Sequence, residues 1–389
     1  MFERVVQAHA QLMPVFFSRE MYRICFCIVT LRSRFMGNFP KGCTTSDPLF
    51  ERTQDSNING RNTFDTSSIN PKMFCRTHRQ VTSLGLILCI LPFCILLYWQ
   101  SNNMYLKNSS CACRSCPKDN EDDGSWFSER FHATFHPFMS SNSSVLSEKA
   151  SNWWKRLQPS NGQPSYGEVV KRLFQLIPDR EYYRDEGPER CRVCSVVGNS
   201  GNLRNSHYGP LIDASDFVIR TNKGPTKNFE QDVGSKTTHR IVYPESAVDV
   251  ENSTHLVLVA FKPLDLEWLI NVFTTHRVRH TYVRVKSTII ANTSLVMVVN
   301  PSFMQYVHEA WLKGNGHQPS TGFLAVVLAL HICDQVRVFG FGANKDGTWD
   351  HYFENIPSSF KTGGHKGSFE YDMIRELDKR DQIELFRGW

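Results

Sequence analysis

The chain has 389 residues, of which 41% are hydrophobic and 21% are charged, and its formal net charge at pH 7 is +6. This length allows one large domain or two smaller domains with a substantial core. The positive charge is too mild to indicate nucleic acid or another polyanion as a partner, whereas a small anionic substrate is compatible with it.

Residues 1–80 are polar and show no sustained periodicity, and Ser, Thr, Asn and Arg dominate 40–70. Such a composition does not bury enough apolar surface to fold, so we predict a disordered tail. The apolar patch at 21–31 is interrupted by Arg23 and is too short for a membrane span, which favours a weakly amphipathic segment.

Residues 81–99 carry no charge and are long enough to cross a bilayer as a helix. Pro92 is tolerated in such helices. Basic residues precede the segment and only Lys107 follows it closely, so the positive-inside rule places residues 1–80 in the cytosol and the later part in a lumen. Because a cleaved signal peptide would lie nearer the N-terminus, we predict an uncleaved signal-anchor, with a buried core helix as the alternative.

The part of the chain after residue 99 has the features of a secretory protein. Residues 100–125 are polar and rich in Asn and Ser, which predicts a luminal stem, and residues 126–389 are predicted to form the luminal folded domain. The sequons for N-glycosylation all lie after the predicted span, at Asn108, Asn142, Asn252 and Asn292.

Six of the 12 cysteines also lie after the predicted span. An even number in a secretory compartment indicates disulfides, and six cysteines allow fifteen pairings. Cys191-x-x-Cys194 also suits a redox pair or, together with the cysteines from Cys111 to Cys116, a zinc site, and the residue pattern leaves these alternatives open.

Beyond Cys191, short β-branched or apolar runs alternate with helical patterns. Such alternation predicts an α/β fold with a mostly parallel, Rossmann-like sheet flanked by helices on both faces. The predicted strands are 195–197, 217–220, 256–261, 281–285, 295–300 and 336–341. The predicted helices are 126–138, 146–157, 166–176, 265–273, 302–312 and 321–331.

Two glycine segments follow predicted strands, at the edge where parallel sheets bind ligands: Gly198-Asn-Ser-Gly201 and Gly340-Phe-Gly342. The first has the geometry in which backbone N–H groups cradle a phosphate, although an ordinary tight turn gives the same pattern. Pro319-Ser-Thr-Gly322 begins an apolar helix, where Ser320 or Thr321 is either a simple N-cap or part of a carboxylate or phosphate site.

Four ordered motifs resemble those of the animal sialyltransferases, over about residues 105–389. The segments that resemble the large motif are Gly198-Asn-Ser-Gly-Asn-Leu203, Ser206-His-Tyr-Gly-Pro210, Arg220-Thr-Asn-Lys223 and Asp232-Val-Gly-Ser-Lys-Thr-Thr-His239. Asn300-Pro-Ser-Phe and the stretch from Pro319 to Gly342 resemble the small motif, His351-Tyr-Phe-Glu354 the third, and His365 to Glu370 the very small one. The resemblance is greatest to the β-galactoside α-2,3-sialyltransferases that act on Galβ1,3GalNAc.

This resemblance implies a GT-A-like variant of the parallel α/β fold, with residues 126–389 as the luminal catalytic domain of a type II Golgi membrane protein. It implies transfer of sialic acid from CMP-sialic acid to the 3-hydroxyl of a terminal galactose, on Galβ1,3GalNAc O-glycans of glycoproteins or on glycolipids. It also implies the disulfides Cys111–Cys116, Cys113–Cys191 and Cys194–Cys333.

The resemblance further implies the residues of the site. The donor-binding positions that it implies are Asn199, Ser200, Asn222, Tyr243, Tyr282, Ser320, Thr321, Gly322, Trp349 and His351. Gln158 and Gln318 are the implied acceptor-binding positions.

Two histidines match the catalytic positions of the family. His365 would take the proton from the galactose 3-hydroxyl as that oxygen attacks the anomeric carbon in a single inverting displacement, since imidazole titrates near neutrality. His351 would donate to the departing phosphate, and Glu354 would orient neighbouring groups. Without the resemblance, a lone loop histidine is more often a surface residue.

The chain contains no Asp-x-Asp, the pattern by which many nucleotide-sugar transferases hold a divalent ion on a diphosphate. The leaving group here would be a monophosphate, whose charge a helix N-terminus and a protonated histidine can meet. We therefore predict a reaction that needs neither metal nor cofactor.

Three departures from close relatives fall on the acceptor side or the lid of the predicted site. His317-Gln318 stands where those relatives have Arg-Tyr, Asp350 replaces a histidine, and the loop from His351 to His365 is shorter. The alternatives are therefore a sialyltransferase of different linkage or acceptor, and an inactive glycan-binding relative, against which the two intact histidines argue. A dinucleotide-binding oxidoreductase is a third alternative, but the chain lacks the second glycine spacing.

Overall fold

The computed structural model describes residues 90, 92–100, 111–113, 116, 124–158, 165–180, 182–183, 189–281, 283–344, 346–354 and 365–388. The predicted disordered tail at 1–80 lies outside these residues, as does most of the predicted stem. Of the predicted span, residues 90 and 92–99 are described, and they are helical with exposed side chains. Within the described residues, no helix combines the length and the hydropathy that crossing a bilayer requires.

The central sheet of the described residues has seven strands, all parallel, in the order β5-β4-β3-β2-β1-β6-β7. The strands are β1 (Val193–Val197), β2 (Phe217–Thr221), β3 (His239–Val242), β4 (His255–Leu258), β5 (Val296–Val298), β6 (Gln335–Phe339) and β7 (Glu384–Phe386). Helices cover both faces, which is why the central strands are apolar and buried along nearly their whole length. The predicted parallel α/β sheet is confirmed.

Two strands are not predicted from the sequence, and one predicted strand is wrong. β3 is buried along its whole length although it begins His239-Arg240, and β7 is a short strand that pairs with β6 at the edge of the sheet. The described residues of 281–285 form no strand: Arg284 makes only an isolated bridge to His280, and Val283 is exposed. No neighbouring strand covers this run, so its β propensity is not realised.

The helices from residue 124 onward are α1 (Gly124–Ser128), α2 (Glu148–Leu157), α3 (Tyr166–Leu173), α4 (Gly209–Asp213), α5 (Glu230–Val233), α6 (Pro263–Val272), α7 (Pro301–Tyr306), α8 (Thr321–Ile332) and α9 (Gly367–Lys379). The helix predicted at 126–138 is confined to the short α1, and the one at 302–312 is α7 followed by a π-helical turn, Val307–Trp311. α9 is not predicted. Its apolar stripe is narrow and most of its surface is charged.

Helix α8 is apolar on every side and packs against β1, β2, β3 and β6. Every α8 residue except Gly322 and His331 is buried. A helix with this composition belongs in the core of a protein or in a membrane, and here it lies in the core. Its N-terminus consequently lies among buried elements at the edge of the sheet, where its unpaired N–H groups can reach a ligand.

The structure contains the disulfides Cys111–Cys116, Cys113–Cys191 and Cys194–Cys333, the same pairs that the resemblance implies. Because Cys191 and Cys194 each bond to a distant partner, neither a Cys191–Cys194 redox pair nor a zinc site at these cysteines is present. Cys194 lies in β1 and Cys333 directly follows α8, so this bond links the strand before the first glycine turn to the core helix.

Successive strands extend from β1 to β5, and the chain then returns to the other side of β1 with β6. Strands β1 and β6 are therefore neighbours at a topological switch point, where the connections leave in opposite directions. In parallel sheets, ligands bind at this point, outside the carboxyl ends of the strands. The glycine segments that begin at Gly198 and Gly340 both lie there, directly after β1 and β6.

Candidate active site

A cleft of about 690 Å³ opens beyond the carboxyl ends of β1, β2 and β6. It lies at the switch point and contains both predicted catalytic histidines. The other predicted site residues that line it are Asn199, Ser200, Asn222, Tyr243, Ser320, Thr321, Gly322, Trp349, Gln158 and Gln318. Tyr282 lies outside the described residues. A second cavity, of about 550 Å³, contains the predicted glycan acceptor Asn142 and none of the predicted donor, acceptor or catalytic residues.

The floor of the cleft is formed by two glycine segments in close contact. A Cβ atom on Gly198 would lie 2.3 Å from the carbonyl oxygen of Gly340, and one on Gly201 would lie 2.1 Å from the Asp350 carboxylate. No other residue fits at either position without displacing its neighbours. Gly198 therefore allows backbone to approach backbone, and Gly201 leaves room for the Asp350 side chain.

Side chains of the first glycine turn hold the second segment in place. The Ser200 hydroxyl donates to the carbonyl of Gly342 at 2.7 Å, and the Asn202 amide donates to the carbonyl of Phe341 at 2.7 Å. Ser200 also caps the short turn that follows by accepting from the N–H of Asn202. The two loops that leave the switch point consequently form one rigid surface.

Asn222 and Asn199 lie side by side at the end of β2. Asn222 has a left-handed backbone (φ 53°), and its side-chain oxygen accepts a hydrogen bond from Ser246 at 2.9 Å. Asparagine tolerates this conformation better than most residues do. The Asn199 amide donates to the carbonyl of Thr221 at 3.2 Å. These bonds fix the orientation of both amides beside the glycine turn.

The N-terminus of α8 forms the opposite wall. The Ser320 hydroxyl accepts from the N–H of Phe323 at 3.0 Å, which makes Ser320 the N-cap. The backbone N–H of Ser320 itself donates to the Glu370 carboxylate at 2.7 Å. The N–H groups of Thr321 and Gly322 belong to the first helical turn, which lacks intrahelical acceptors, so they and the helix dipole favour an anion here.

Glu370 is a buried carboxylate that lines the same cleft. Burial raises the pKa of its carboxyl to about 7, and the hydrogen bonds from Ser320 oppose that rise. The group therefore titrates near neutrality, beside the helix N-terminus. No lysine or arginine is among the described residues that line the cleft.

His365 lies directly before α9 and is half-buried in the cleft. Burial lowers the pKa of its imidazole, because desolvation disfavours the charged ring. Its Nδ1 is buried and has no hydrogen-bond partner among the described residues. No described side chain fixes the orientation of the ring through this nitrogen.

His351 reaches the cleft from a segment that runs antiparallel to the first glycine turn and bridges to Ser200. Its Nδ1 lies 3.0 Å from the Glu354 carboxylate, which can only accept, so this nitrogen carries a proton and Nε2 remains for a ligand. Arg204 holds the segment by pairing with Asp350 at 2.6 Å and by donating to the carbonyl of His351. Asp350, which replaces a histidine of close relatives, therefore forms an ion pair with Arg204 in this chain.

The predicted acceptor side is built from the end of α2 and the loop before α8. The Nε2–H of His317 donates to the carbonyl of Leu157 at 2.9 Å, which ties this loop to the turn that carries Gln158. Trp153 donates to Nδ1 of His308 at 3.0 Å, and Nε2 of His308 donates to the carbonyl of Gly316 at 3.2 Å. His317 therefore fixes the wall of the cleft on which Gln318 stands.

Several residues of the cleft are not predicted from the sequence. They are Thr221, Glu245, Phe261, Val283, Tyr371 and Ile374. Tyr371 and Ile374 lie on α9, which is not predicted, and Val283 lies in the predicted strand that does not form. Glu370 is the last residue of the segment that resembles the very small motif. Its carboxylate accepts a hydrogen bond from the N–H of Ser320, the residue that caps α8.

A comparison with known protein families gives a match over residues 138–382 to the family described as "Glycosyltransferase family 29 (sialyltransferase)". The chain belongs to glycosyltransferase family 29, the sialyltransferases. The matched range contains every described residue that lines the cleft. The cysteines at 111–116 lie before it.

Relatives in this family match most of the chain. The protein named CMP-N-acetylneuraminate-beta-galactosamide-alpha-2,3-sialyltransferase 1 of Mus musculus is 42% identical over 288 residues, which are 73% of this chain and 85% of that protein. The protein of the same name from Gallus gallus is 43% identical over 282 residues, which are 72% of this chain and 82% of that protein. The sialyltransferase 2 of Rattus norvegicus is 42% identical over 286 residues, covering 73% and 81%.

Solved structures of the family agree with this fold. One described as a crystal structure of a mammalian sialyltransferase has a TM-score of 0.68 and 42% identity, covering 72% of this chain and 99% of that one. Another, in complex with Gal-beta-1-3GalNAc-ortho-nitrophenol, has a TM-score of 0.67 and 41% identity, covering 72% and 100%. The sialyltransferase fold is therefore shared over nearly the whole of both solved chains.

Proposed function

We propose that this family 29 chain transfers sialic acid from CMP-sialic acid to the 3-hydroxyl of a terminal galactose, with Galβ1,3GalNAc O-glycans or related glycolipids as acceptors. The names of the relatives support the donor, the galactoside acceptor and the α-2,3 linkage. The observation that carries the proposal is that two histidines from separate segments, His351 and His365, line one cleft at the switch point.

The proposed reaction is a single displacement at the anomeric carbon of sialic acid. His365 takes the proton of the galactose 3-hydroxyl while that oxygen forms the new glycosidic bond, and the bond from the anomeric carbon to the phosphate oxygen breaks. Both bonding electrons leave with CMP, and the configuration inverts. The lowered pKa of His365 and its place in the cleft support its role as base. His351 donates to the departing phosphate, oriented by Glu354.

The donor is proposed to lie between the first glycine turn and the N-terminus of α8. Asn199, Ser200 and Asn222 would contact the nucleotide, with Tyr243 and Tyr282 near its phosphate. The N–H groups at the start of α8 suit the carboxylate or the phosphate. Trp349, which packs edge-on against Tyr371 with ring centroids 6.4 Å apart, would line the pocket. The residues that contribute from α8 are Ser320, Thr321 and Gly322.

We further propose that the reaction needs no metal and no cofactor. The leaving group is a monophosphate, and the helix N-terminus together with the imidazole of His351 can stabilise its charge. The absence of Asp-x-Asp from the sequence supports this proposal. Addition of EDTA should leave the rate unchanged.

The proposed acceptor residues are Gln158 and Gln318, on the wall that His317 fixes. Both side chains are amides, which donate and accept hydrogen bonds and suit sugar hydroxyls. A glutamine in place of an aromatic side chain offers less stacking area to a sugar ring. A different acceptor or linkage is therefore the alternative within the same chemistry.

The proposed location is the Golgi membrane, as a type II protein. Residues 1–80 would be a cytosolic tail, 81–99 the signal-anchor, 100–125 the luminal stem and 126–389 the luminal catalytic domain. Three disulfides support an oxidising compartment. Asn142 and Asn252 are exposed, as glycan acceptors must be.

The experiment is an acceptor panel with CMP-sialic acid, followed by linkage analysis of the products. We expect an α-2,3-sialylated product with Galβ1,3GalNAc acceptors and stoichiometric release of CMP. An α-2,6 or α-2,8 product would support the alternative linkage. Binding of glycan or CMP without any transfer would contradict the proposal and support an inactive, glycan-binding relative.

A further inference from the structure

A buried lysine lies behind the proposed acceptor wall and has no place in the proposed chemistry. Lys262, which directly precedes α6, has 4% of its surface exposed. Its Nζ pairs with Asp265 at 2.9 Å and lies 4.0 Å from the Glu245 carboxylate. Its remaining contact is with the side-chain oxygen of Gln158. A buried ammonium group is rare and must be paired, and this one reaches a residue of the cleft.

The contact between Lys262 and Gln158 determines which way the amide faces. An ammonium group has donors and no acceptor, so the Gln158 atom that faces it must be the carbonyl oxygen. The NH₂ group of the same amide then points away from the lysine. No hydrogen bond from Nε2 of Gln158 to any described residue is present, and Gln158 lines the cleft. The two N–H donors of this amide are therefore not used by any described residue.

The lysine itself is held from two directions, so it can act as a fixed anchor. Asp265 also accepts from the N–H of Phe261 at 2.8 Å, which locks the carboxylate at the start of α6. Glu245 accepts from the hydroxyl of Thr281 and so is fixed as well. The carboxylates of Asp265 and Glu245 flank the ammonium group of Lys262. Rotation of Lys262 away from Gln158 would deprive both carboxylates of their cationic partner.

We propose that Lys262 is a positioning residue of acceptor binding, which fixes Gln158 so that its NH₂ group donates to a hydroxyl oxygen of the acceptor sugar. This inference rests on the proposed function, because it takes Gln158 as an acceptor-binding residue. The proposal also predicts acceptor specificity, because the sugar group opposite Gln158 must accept a hydrogen bond. An acceptor whose hydroxyl at that point is replaced by hydrogen binds more weakly.

The test uses the full-length protein, with transfer to a Galβ1,3GalNAc acceptor as the measurement. K262M/D265N removes both charges of the pair and keeps an oxygen for the N–H of Phe261, and D265N alone is the matched control. We expect the acceptor KM of K262M/D265N to exceed that of D265N about fivefold, the loss of one neutral hydrogen bond, with kcat and the donor KM unchanged. Equal acceptor KM values would overturn the proposal.

A double-mutant cycle separates positioning from general destabilisation. The cycle compares Q158L/K262M/D265N with Q158L/D265N. If Lys262 acts through Gln158, these two variants have the same acceptor KM. Additive effects would show that the lysine acts elsewhere and would overturn the proposal.

The variant Q158E provides a second test, which remains available if K262M/D265N does not fold. This variant keeps Lys262 and offers it a carboxylate, but it removes the N–H donors from the cleft. We expect an acceptor KM about fivefold higher with an unchanged melting temperature. An unchanged acceptor KM would show that the N–H groups of Gln158 do not donate to the acceptor and would overturn the proposal. If the wild-type protein transfers no sialic acid, the proposed function fails; if it transfers and the variants do not differ, only the role of Lys262 fails.

Discussion

His365 and His351 reach the same cleft in different surroundings. His365 is half-buried with Nδ1 unpartnered among the described residues, and burial lowers its pKa. His351 is more exposed, and its Nδ1 lies against the Glu354 carboxylate. A lowered pKa suits a proposed role in proton abstraction, whereas the contact with Glu354 orients the His351 ring for a proposed hydrogen bond to a departing phosphate. These surroundings support different proposed roles for the two histidines.

The first prediction concerns the pH dependence of the rate. The base must be unprotonated, and the pKa of His365 is lowered from its ordinary value of 6.5. We therefore expect the acid limb of the kcat/KM profile to rise with pH through a midpoint below 6.5. The measurement is a pH–rate profile of the wild-type protein, repeated with E370Q because Glu370 also titrates in the cleft. An acid limb centred above pH 7 in both proteins would contradict the assignment.

The second prediction concerns Glu370. Its pKa is raised from 4.5 to about 7, so the folded state holds this proton more tightly than the unfolded chain does. The stability due to that proton is fully present below pH 4.5 and is lost as the pH rises toward 7. The neutral E370Q should therefore gain roughly 2 to 3 kcal/mol in unfolding free energy relative to wild type between pH 5 and pH 8. Urea unfolding at both pH values measures this, and a pH-independent difference would refute it.

At the scale of elements, the sequence predicts what depends on local pattern. The apolar runs before Gly198 and Gly340 predict β1 and β6, and the apolar stretch after Ser320 predicts α8. Strand β3 is missed because it opens with His239 and Arg240. Both are buried by neighbouring strands, and Arg240 donates to the carbonyl of Gly224. A polar residue that finds its partners through tertiary contacts leaves no local signal.

The site shows the same division. The glycine turns and the capped helix follow from sequence pattern, and the resemblance supplies the histidines. The buried charges behind the cleft do not follow from either. In the sequence, Lys262 and Asp265 look like ordinary charged residues at the start of a helix, and Glu370 looks like one of many charges on α9. The fold buries all three. Their roles depend on contacts between segments far apart in the chain.

The third prediction concerns the link between two elements. Cys194–Cys333 spans 139 residues, whereas Cys111–Cys116 spans 5. The loss of loop-closure entropy in the unfolded chain gives about 5 kcal/mol for the long bond and about 2 kcal/mol for the short one. C194A/C333A should therefore melt at a clearly lower temperature than C111A/C116A, and its transfer rate should fall because β1 and α8 both border the cleft. Equal melting temperatures would contradict this account.

At the scale of the whole molecule, the cleft exists because of strand order. The chain extends the sheet on one side of β1 and then resumes on the other side with β6, and the loops after these strands form the floor. His351 and His365 come from the segments that follow β6. One topological feature thus brings the proposed nucleotide site and the proposed catalytic groups together.

The central claim is that His365 is the base of sialyl transfer in this cleft, and one comparison tests it most directly. The measurement is transfer from CMP-sialic acid to Galβ1,3GalNAc by wild type and H365A, with CMP affinity measured on the same samples. H280A serves as the control, since His280 is exposed and lies outside the cleft. We predict that H365A transfers about 10²- to 10⁴-fold more slowly while binding CMP as wild type does. Transfer by H365A at the rate of wild type and H280A would contradict the account.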